Sequence, residues 1–184
     1  MQKVKSINEV TREERMELFT QVDDITFEFI FWVEAFTQDE LNSVTTEGSW
    51  SAAQVADHVR KSNDGIAQAF QMQGINGERM ADARVHELKS VFLDFSKKFK
   101  SPEFILPGQS YYNKQELLER LKTSVEMIKQ EREKAKLGEI IHLSALGTIS
   151  KLELLHFVVF HTKRHINQLK KIYQKIKNET NDTD

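Results

Sequence analysis

Apolar residues recur every three or four positions over four long stretches of this chain, the period of one face of a helix. Met16, Phe19, Ile25, Phe29 and Trp32 mark the first stretch, and Val55, Val59 and Ile66 the second. Leu117, Leu121, Val125 and Ile128 mark the third, and Leu154, Phe157, Val158, Ile166, Leu169 and Ile172 the fourth. Each stretch opens on a side chain able to accept from the free amides of a helix's first turn. Thr11 with Glu14, Ser51 with Gln54 and Ser150 with Glu153 fit the reciprocal capping box. Asn113 before Glu116 is a variant with an amide oxygen as the cap. Trp50, Tyr112 and Ile149 precede their caps and can pack on Val55, Leu117 and Leu154 as hydrophobic staples. These signals predict helices over residues 12–36, 52–72, 114–136 and 151–177. The fold class expected is all-α, a four-helix bundle, a frame that commonly builds metal and cofactor sites from facing helices.

The remaining segments embellish that frame. Val85, Leu88, Phe92, Phe95 and Phe99 predict an extra short helix within 82–99, between the second and third main helices. Residues 101–112 hold both prolines and predict an ordered loop whose aromatic residues plug the bundle end, or else wall a cleft. Residues 138–149, with Gly138 and Gly147, read as the connection into the last helix, and the tail after Asn178 as frayed. With no internal repeat and no linker, residues 1–184 are expected to form a single domain. That length suffices for one well-buried core.

Composition narrows the chemistry. A formal net charge of -2 gives no field for a phosphate backbone, so no nucleic-acid partner is expected. The basic run from Lys163 to Lys177 is interleaved with apolar residues and reads as the solvated face of a helix. The chain has no cysteine. Disulfides, thiolate metal sites, iron–sulfur clusters and a thiol nucleophile of its own are therefore excluded. Residues 1–10 are polar and lack the apolar stretch of a secretory signal. No apolar run approaches the roughly 20 residues that span a membrane. The expected location is the cytoplasm, with no membrane partner.

Histidine is left as the candidate for chemistry. His161 and His165 stand four apart in the fourth helix, about 40° apart in azimuth, and Gln168 falls within about 20° of His161. One face thus presents His, His and Gln in successive turns, and His58, on the second helix, could complete a set of three donors. Three imidazoles around a cation leave positions open for water or substrate. Gln168 can hydrogen-bond a ligating imidazole or a bound water from behind. The plainer alternative is three ordinary buried histidines. Imidazole suits zinc, nickel, copper and iron, so the donors do not name the metal.

The other titratable groups are less well placed. His156 lies about 140° from His161 on the wheel, His86 is expected at the surface, and His142 precedes the Gly147 turn. Glu139-Ile140-Ile141-His142 and Glu153-Leu154-Leu155-His156 both have the Glu-x-x-His spacing of di-iron bundles. They flank one short turn, however, and Glu153 is needed for its capping box. Asp57 adjoins His58 but points about 100° away, and Glu34 and Asp64 are candidate bases by residue type alone.

Three segments carry a family resemblance: Trp50 to His58, Leu146-Gly147-Thr148-Ile149-Ser150-Lys151-Leu152-Glu153-Leu154, and His161-x3-His165-x2-Gln168-Leu169. In that order, over nearly the whole chain, they resemble the DinB-like superfamily of metal-binding four-helix bundles. The resemblance implies an up-down-down-up arrangement and a divalent metal, often zinc or nickel, on three histidines. His58, His161 and His165 match those ligand positions one by one. It further implies an enzyme acting on a small molecule, either a transferase using an external low-molecular-weight thiol or a metal-dependent hydrolase, and a homodimer. The competing expectation is a non-catalytic helical module, metal-binding or engaged in a stress response.

Overall fold

The computed structural model describes residues 10–181 and has the expected bundle. Its four long helices are α1 (Arg12–Glu34), α3 (Ala52–Gln71), α5 (Lys114–Lys134) and α6 (Lys151–Asn181). All four caps form. Thr11 and Ser51 accept from the amides of Glu14 and Gln54, and both glutamyl and glutaminyl side chains reach back. Asn113 accepts from Glu116. Ser150 Oγ accepts from the Glu153 amide at 3.0 Å, and Glu153 Oε2 accepts from the Ser150 amide at 2.8 Å.

Two apolar clusters fill the bundle, and their membership fixes the helix directions. One joins Leu18 to Val22 of α1, Ile66 to Phe70 of α3, Ile128 of α5 and Leu152 to Phe160 of α6. The other joins Phe29 and Val33, Ala52 to Val59, Leu117 to Leu121, and Ile166 to Ile172. The starts of α1 and α6 therefore share one end with the finishes of α3 and α5, which is up-down-down-up. The level between the clusters is polar on every long helix. Thr26 lies there on α1, Ser62 and Asn63 on α3, Ser124 on α5 and Thr162 on α6, all buried. Asn63 Nδ2 donates to Ser124 Oγ across the gap at 3.3 Å. Most predicted core residues are buried, but Met16 is 56% exposed, and Ile25 and Trp32 are half-buried.

Several segments depart from expectation. Residues 138–149 are not a plain connection but a β-hairpin, β2 (Glu139–Leu143) and β3 (Gly147–Ser150). A short strand, β1 (Ile75–Asn76), pairs with β2 to complete a three-stranded antiparallel sheet. The β-branched pairs Ile140-Ile141 and Thr148-Ile149 suit extended backbone, and Gly147 supplies the turn at φ +68°. The all-α class thus describes the bundle and omits this sheet at its end. A short helix, α2 (Gln38–Asn42), also follows α1, with Thr37 as its cap. The extra helix within 82–99 shrinks to α4 (Val85–Phe92). It ends there because Arg164 of α6 gathers the carbonyls of Phe92, Asp94 and Lys97, which turns the chain out of helical register. Phe95 and Phe99 are left exposed rather than on a helical face. The loop 101–112 is ordered and contains a 3-10 turn, Glu103–Ile105. Helix α6 continues to Asn181, past the expected fraying point. No described helix is long and apolar enough to cross a membrane.

Candidate metal centre

Helices α3 and α6 bring His58, His161 and His165 together in the middle of the bundle. The three residues are 2%, 6% and 7% exposed. His161 Nε2 lies 3.2 Å from His58 Nε2 and 3.2 Å from His165 Nε2. One donor atom from each ring falls within 4.8 Å of the others, and these three residues are the group of potential ligands found among the described residues.

The outer nitrogens fix which atoms face inward. His58 Nδ1–H donates to the carbonyl of Ile105 at 2.9 Å. His165 Nδ1–H donates to Gln168 Oε1 at 3.0 Å. A carbonyl oxygen only accepts, so both rings carry their proton on Nδ1 and point an Nε2 lone pair at His161. A single N–H on His161 Nε2 can serve only one of those two lone pairs. Three neutral imidazoles in this arrangement thus leave one nitrogen facing another without a proton between them, an arrangement a cation resolves. The two 3.2 Å separations from His161 fit as well: bonds of about 2.0–2.1 Å at a tetrahedral angle separate two donor nitrogens by about 3.3 Å.

Electrostatics favours the neutral ligand form. Burial is the main cause in each case. It pushes His161 well below the usual histidine range, with His165 and His58 adding to the effect. It takes His165 down to about 3, against the opposing hydrogen bond of Gln168. It lowers His58 too, despite the Ile105 carbonyl. Burial thus favours the neutral imidazole at all three positions, each ring keeping one N–H and one lone pair for a cation.

Aromatic and loop residues wall this cluster. Trp50 sits 4.9 Å from the His58 ring, Phe157 stacks on His161 at 5.0 Å, and Phe92 meets His161 edge-on at 6.1 Å. Of these, only Trp50 belongs to a motif visible in the sequence. Phe92 shows in the sequence only as an apolar position of the short helix α4, and the Ile105 carbonyl carries no side-chain signal, because it reaches the site through the path of the 92–112 connection.

The remaining sequence candidates lie elsewhere. His86 and His142 are exposed, and His156 stacks on Phe160. The two Glu-x-x-His pairs form no di-iron site. Glu139 and His142 share a strand, where residues three apart face opposite sides. Glu139 pairs with Lys151, and Glu153 is held by Arg79. Glu34 is exposed and pairs with Lys122, and Asp64 pairs with Arg60. Asp57 turns away from the imidazoles, toward Arg60, Tyr112 and the Gly108 amide.

Comparison with known proteins agrees with this architecture. The model of the DinB superfamily matches residues 21–169. The uncharacterized protein YuaE of Bacillus subtilis (strain 168) is 24% identical over 155 residues, covering 78% of this chain and 90% of YuaE. The crystal structure of TT2238, a four-helix bundle protein, superposes with a TM-score of 0.56 at 16% identity, covering 85% of this chain and 98% of that one. YfiT from Bacillus subtilis, described as a probable metal-dependent hydrolase with an unusual four-helix bundle topology, superposes with a TM-score of 0.55 at 13% identity. That match covers 92% of this chain and 91% of YfiT.

Proposed function

The chain belongs to the DinB superfamily, and from that membership and its three converging imidazoles we propose that it is a metal-dependent enzyme acting on a small molecule. His58, His161 and His165 hold a divalent cation, zinc or nickel, and the attacking nucleophile is water or an external low-molecular-weight thiol. The observation that carries this reading is the number of donors. Structural zinc sites close around four protein ligands, whereas catalytic ones use three and leave a position open. Three ligand residues converge here. The description of YfiT as a probable metal-dependent hydrolase supports the hydrolytic branch.

A divalent cation supplies Lewis acidity, which polarises a carbonyl and lowers the pKa of a water or thiol that meets it. The chain's own residues prepare its seat. Ile105 and Gln168 keep protons on the outer nitrogens, so the inner lone pairs stay free. Trp50, Phe92 and Phe157 keep bulk water off the imidazoles. Asp57 is not the proton acceptor, because its oxygens already accept from Arg60, Tyr112 and Gly108.

The test is metal content by plasma mass spectrometry on untagged protein, beside His58→Ala and the double variant His161→Ala/His165→Ala. Near-stoichiometric metal in the parent and its loss in both variants is expected, followed by turnover in a screen of small esters and amides and of thiol conjugations. A parent that takes up neither zinc nor nickel overturns the proposal. The deep burial of the rings favours one competing reading, a non-catalytic metal-binding or stress-response module. Metal that is bound but never perturbed by added thiol or imidazole would establish that reading instead.

A further inference from the structure

The connection between α4 and α5 is fastened to α3 by a row of side chains on one helix face. Gln54, Asp57, His58 and Lys61 follow at helical spacing, and each reaches the segment 105–112. Gln54 Nε2 donates to the Gly108 carbonyl at 3.1 Å. Asp57 Oδ2 accepts from the Tyr112 hydroxyl at 3.0 Å and from the Gly108 amide at 3.3 Å. His58 Nδ1–H donates to the Ile105 carbonyl at 2.9 Å. Lys61 Nζ donates to the next carbonyl, Leu106, at 2.6 Å, and lies 3.4 Å from Asp57 Oδ2.

The imidazole bond is therefore one of five, and the other four do not involve His58. Together with the bonds that Gln38 and Asn42 of α2 make to the Tyr112 backbone, they hold the segment that carries the Ile105 carbonyl. That matters because the carbonyl is what keeps the His58 proton on Nδ1 and the Nε2 lone pair aimed at His161. Asp57 is the hub. It is buried, and Arg60 holds its Oδ1 at 2.8 Å, leaving Oδ2 to the loop. Loop residues 106–112 would otherwise be tied to α3 only through Gln54 and Lys61.

We propose that Asp57 and Lys61 are positioning residues for the metal centre: they set the 105–112 segment so that the Ile105 carbonyl fixes the tautomer and direction of His58. This rests on the metal-centre assignment above. Neither residue belongs to the group of potential ligands. A group that orients a ligating histidine from behind typically changes metal affinity by about 10–100-fold when removed.

The experiment compares Asp57→Asn and Lys61→Met with the parent and with Tyr111→Phe. Tyr111 lies on the same connection, but its hydroxyl donates to Asp39 of α2 rather than to α3. Two quantities are measured on folded protein at pH 7. The first is the histidine tautomer in the metal-free state, from long-range proton–nitrogen NMR correlations. The second is cobalt affinity, from the visible spectrum of the cobalt-loaded protein. The parent and Tyr111→Phe are expected to show His58 as the Nδ1–H tautomer. The two α3 variants are expected to show a mixture of tautomers and cobalt binding about 10–100-fold weaker. Uniform destabilisation of the fold would not move the tautomer, and Lys61→Met decides the matter if Asp57→Asn does not fold. Cobalt affinities within twofold of the parent, or an unchanged tautomer, overturn the proposal. A parent that binds no cobalt while the tautomer shifts as expected refutes the metal-centre assignment and leaves the positioning of His58 by the loop intact.

Discussion

Glu153 is fully buried, and replacing it with alanine should be among the most damaging single changes outside the aliphatic core. Its carboxylate accepts four hydrogen bonds. Two come from Arg79 at 2.6 Å each, one from the Arg84 amide at 2.7 Å, and one from the Ser150 amide at 2.8 Å. Alanine orphans both amides, and a buried donor left without a partner costs about 1–3 kcal/mol. The Arg79 side chain is 29% exposed, so water recovers part of its loss, and the charge contribution is discounted accordingly. The sum is about 3–5 kcal/mol, on the order of 10 °C in melting temperature for a chain of this size. Urea unfolding followed by far-UV circular dichroism measures it. Glu87→Ala serves as the control, because that side chain is 58% exposed and meets Arg84 at the surface, and it should cost under about 0.5 kcal/mol. A loss below about 1 kcal/mol for Glu153→Ala would show that the four bonds do not hold the β1–α4 segment to the start of α6.

The same carboxylate sets a pH dependence. Burial raises its pKa, but the hydrogen bonds from Arg79, Ser150 and Arg84 outweigh that and hold it below the ordinary 4.5. A folded-state pKa below the unfolded one adds stability that is complete above pH 4.5 and is lost as pH falls through the folded value. The gap in urea midpoint between parent and Glu153→Ala should therefore narrow steadily below that pH; a constant gap would refute the assignment. Leu121→Ala removes a side chain with no exposed surface from the centre of α5 and should cost about 2–5 kcal/mol in the same assay. Arg164→Met frees the carbonyls at Phe92, Asp94 and Lys97. Hydrogen exchange over residues 92–99 should quicken while that of α3 and α5 stays protected.

Much of this molecule is legible in the sequence because its helices announce themselves. A capping residue, an acid or amide three positions later and an apolar period of three to four are local signals, and all four long helices begin where these fall. The hairpin was hidden because Gly138 and Gly147 look like ordinary loop punctuation, while Ile140-Ile141 and Thr148-Ile149 form runs too short to separate strand from loop. The shortening of α4 was hidden for a different reason. Phe95 and Phe99 keep helical spacing, yet the carbonyls that end the helix are claimed by Arg164, some seventy residues later. In the candidate centre, helical spacing brings His161 and His165 to one face and the bundle brings His58 across to them. What orients His58 is a main-chain carbonyl, which no side-chain pattern encodes. Asp57 points about 100° away from His58 on the helix wheel, and its importance lies in what it holds on that other side.

The polar level formed by Thr26, Ser62, Asn63, Ser124 and Thr162 separates two apolar halves, with the three histidines near their junction. Sliding any long helix by one turn would press a hydroxyl or amide into aliphatic surroundings and lift an aliphatic side chain to the level of the others' polar groups. The level thus acts as an index mark that penalises mis-registered assembly at the height where the donor nitrogens must meet. The sheet end carries polar marks of its own in the buried Arg132, Lys151 and Glu153, but the two apolar halves in between carry none of this level's groups. Aliphatic-for-aliphatic repacking is therefore cheapest within those two halves, where it leaves the alignment at the histidine level unchanged.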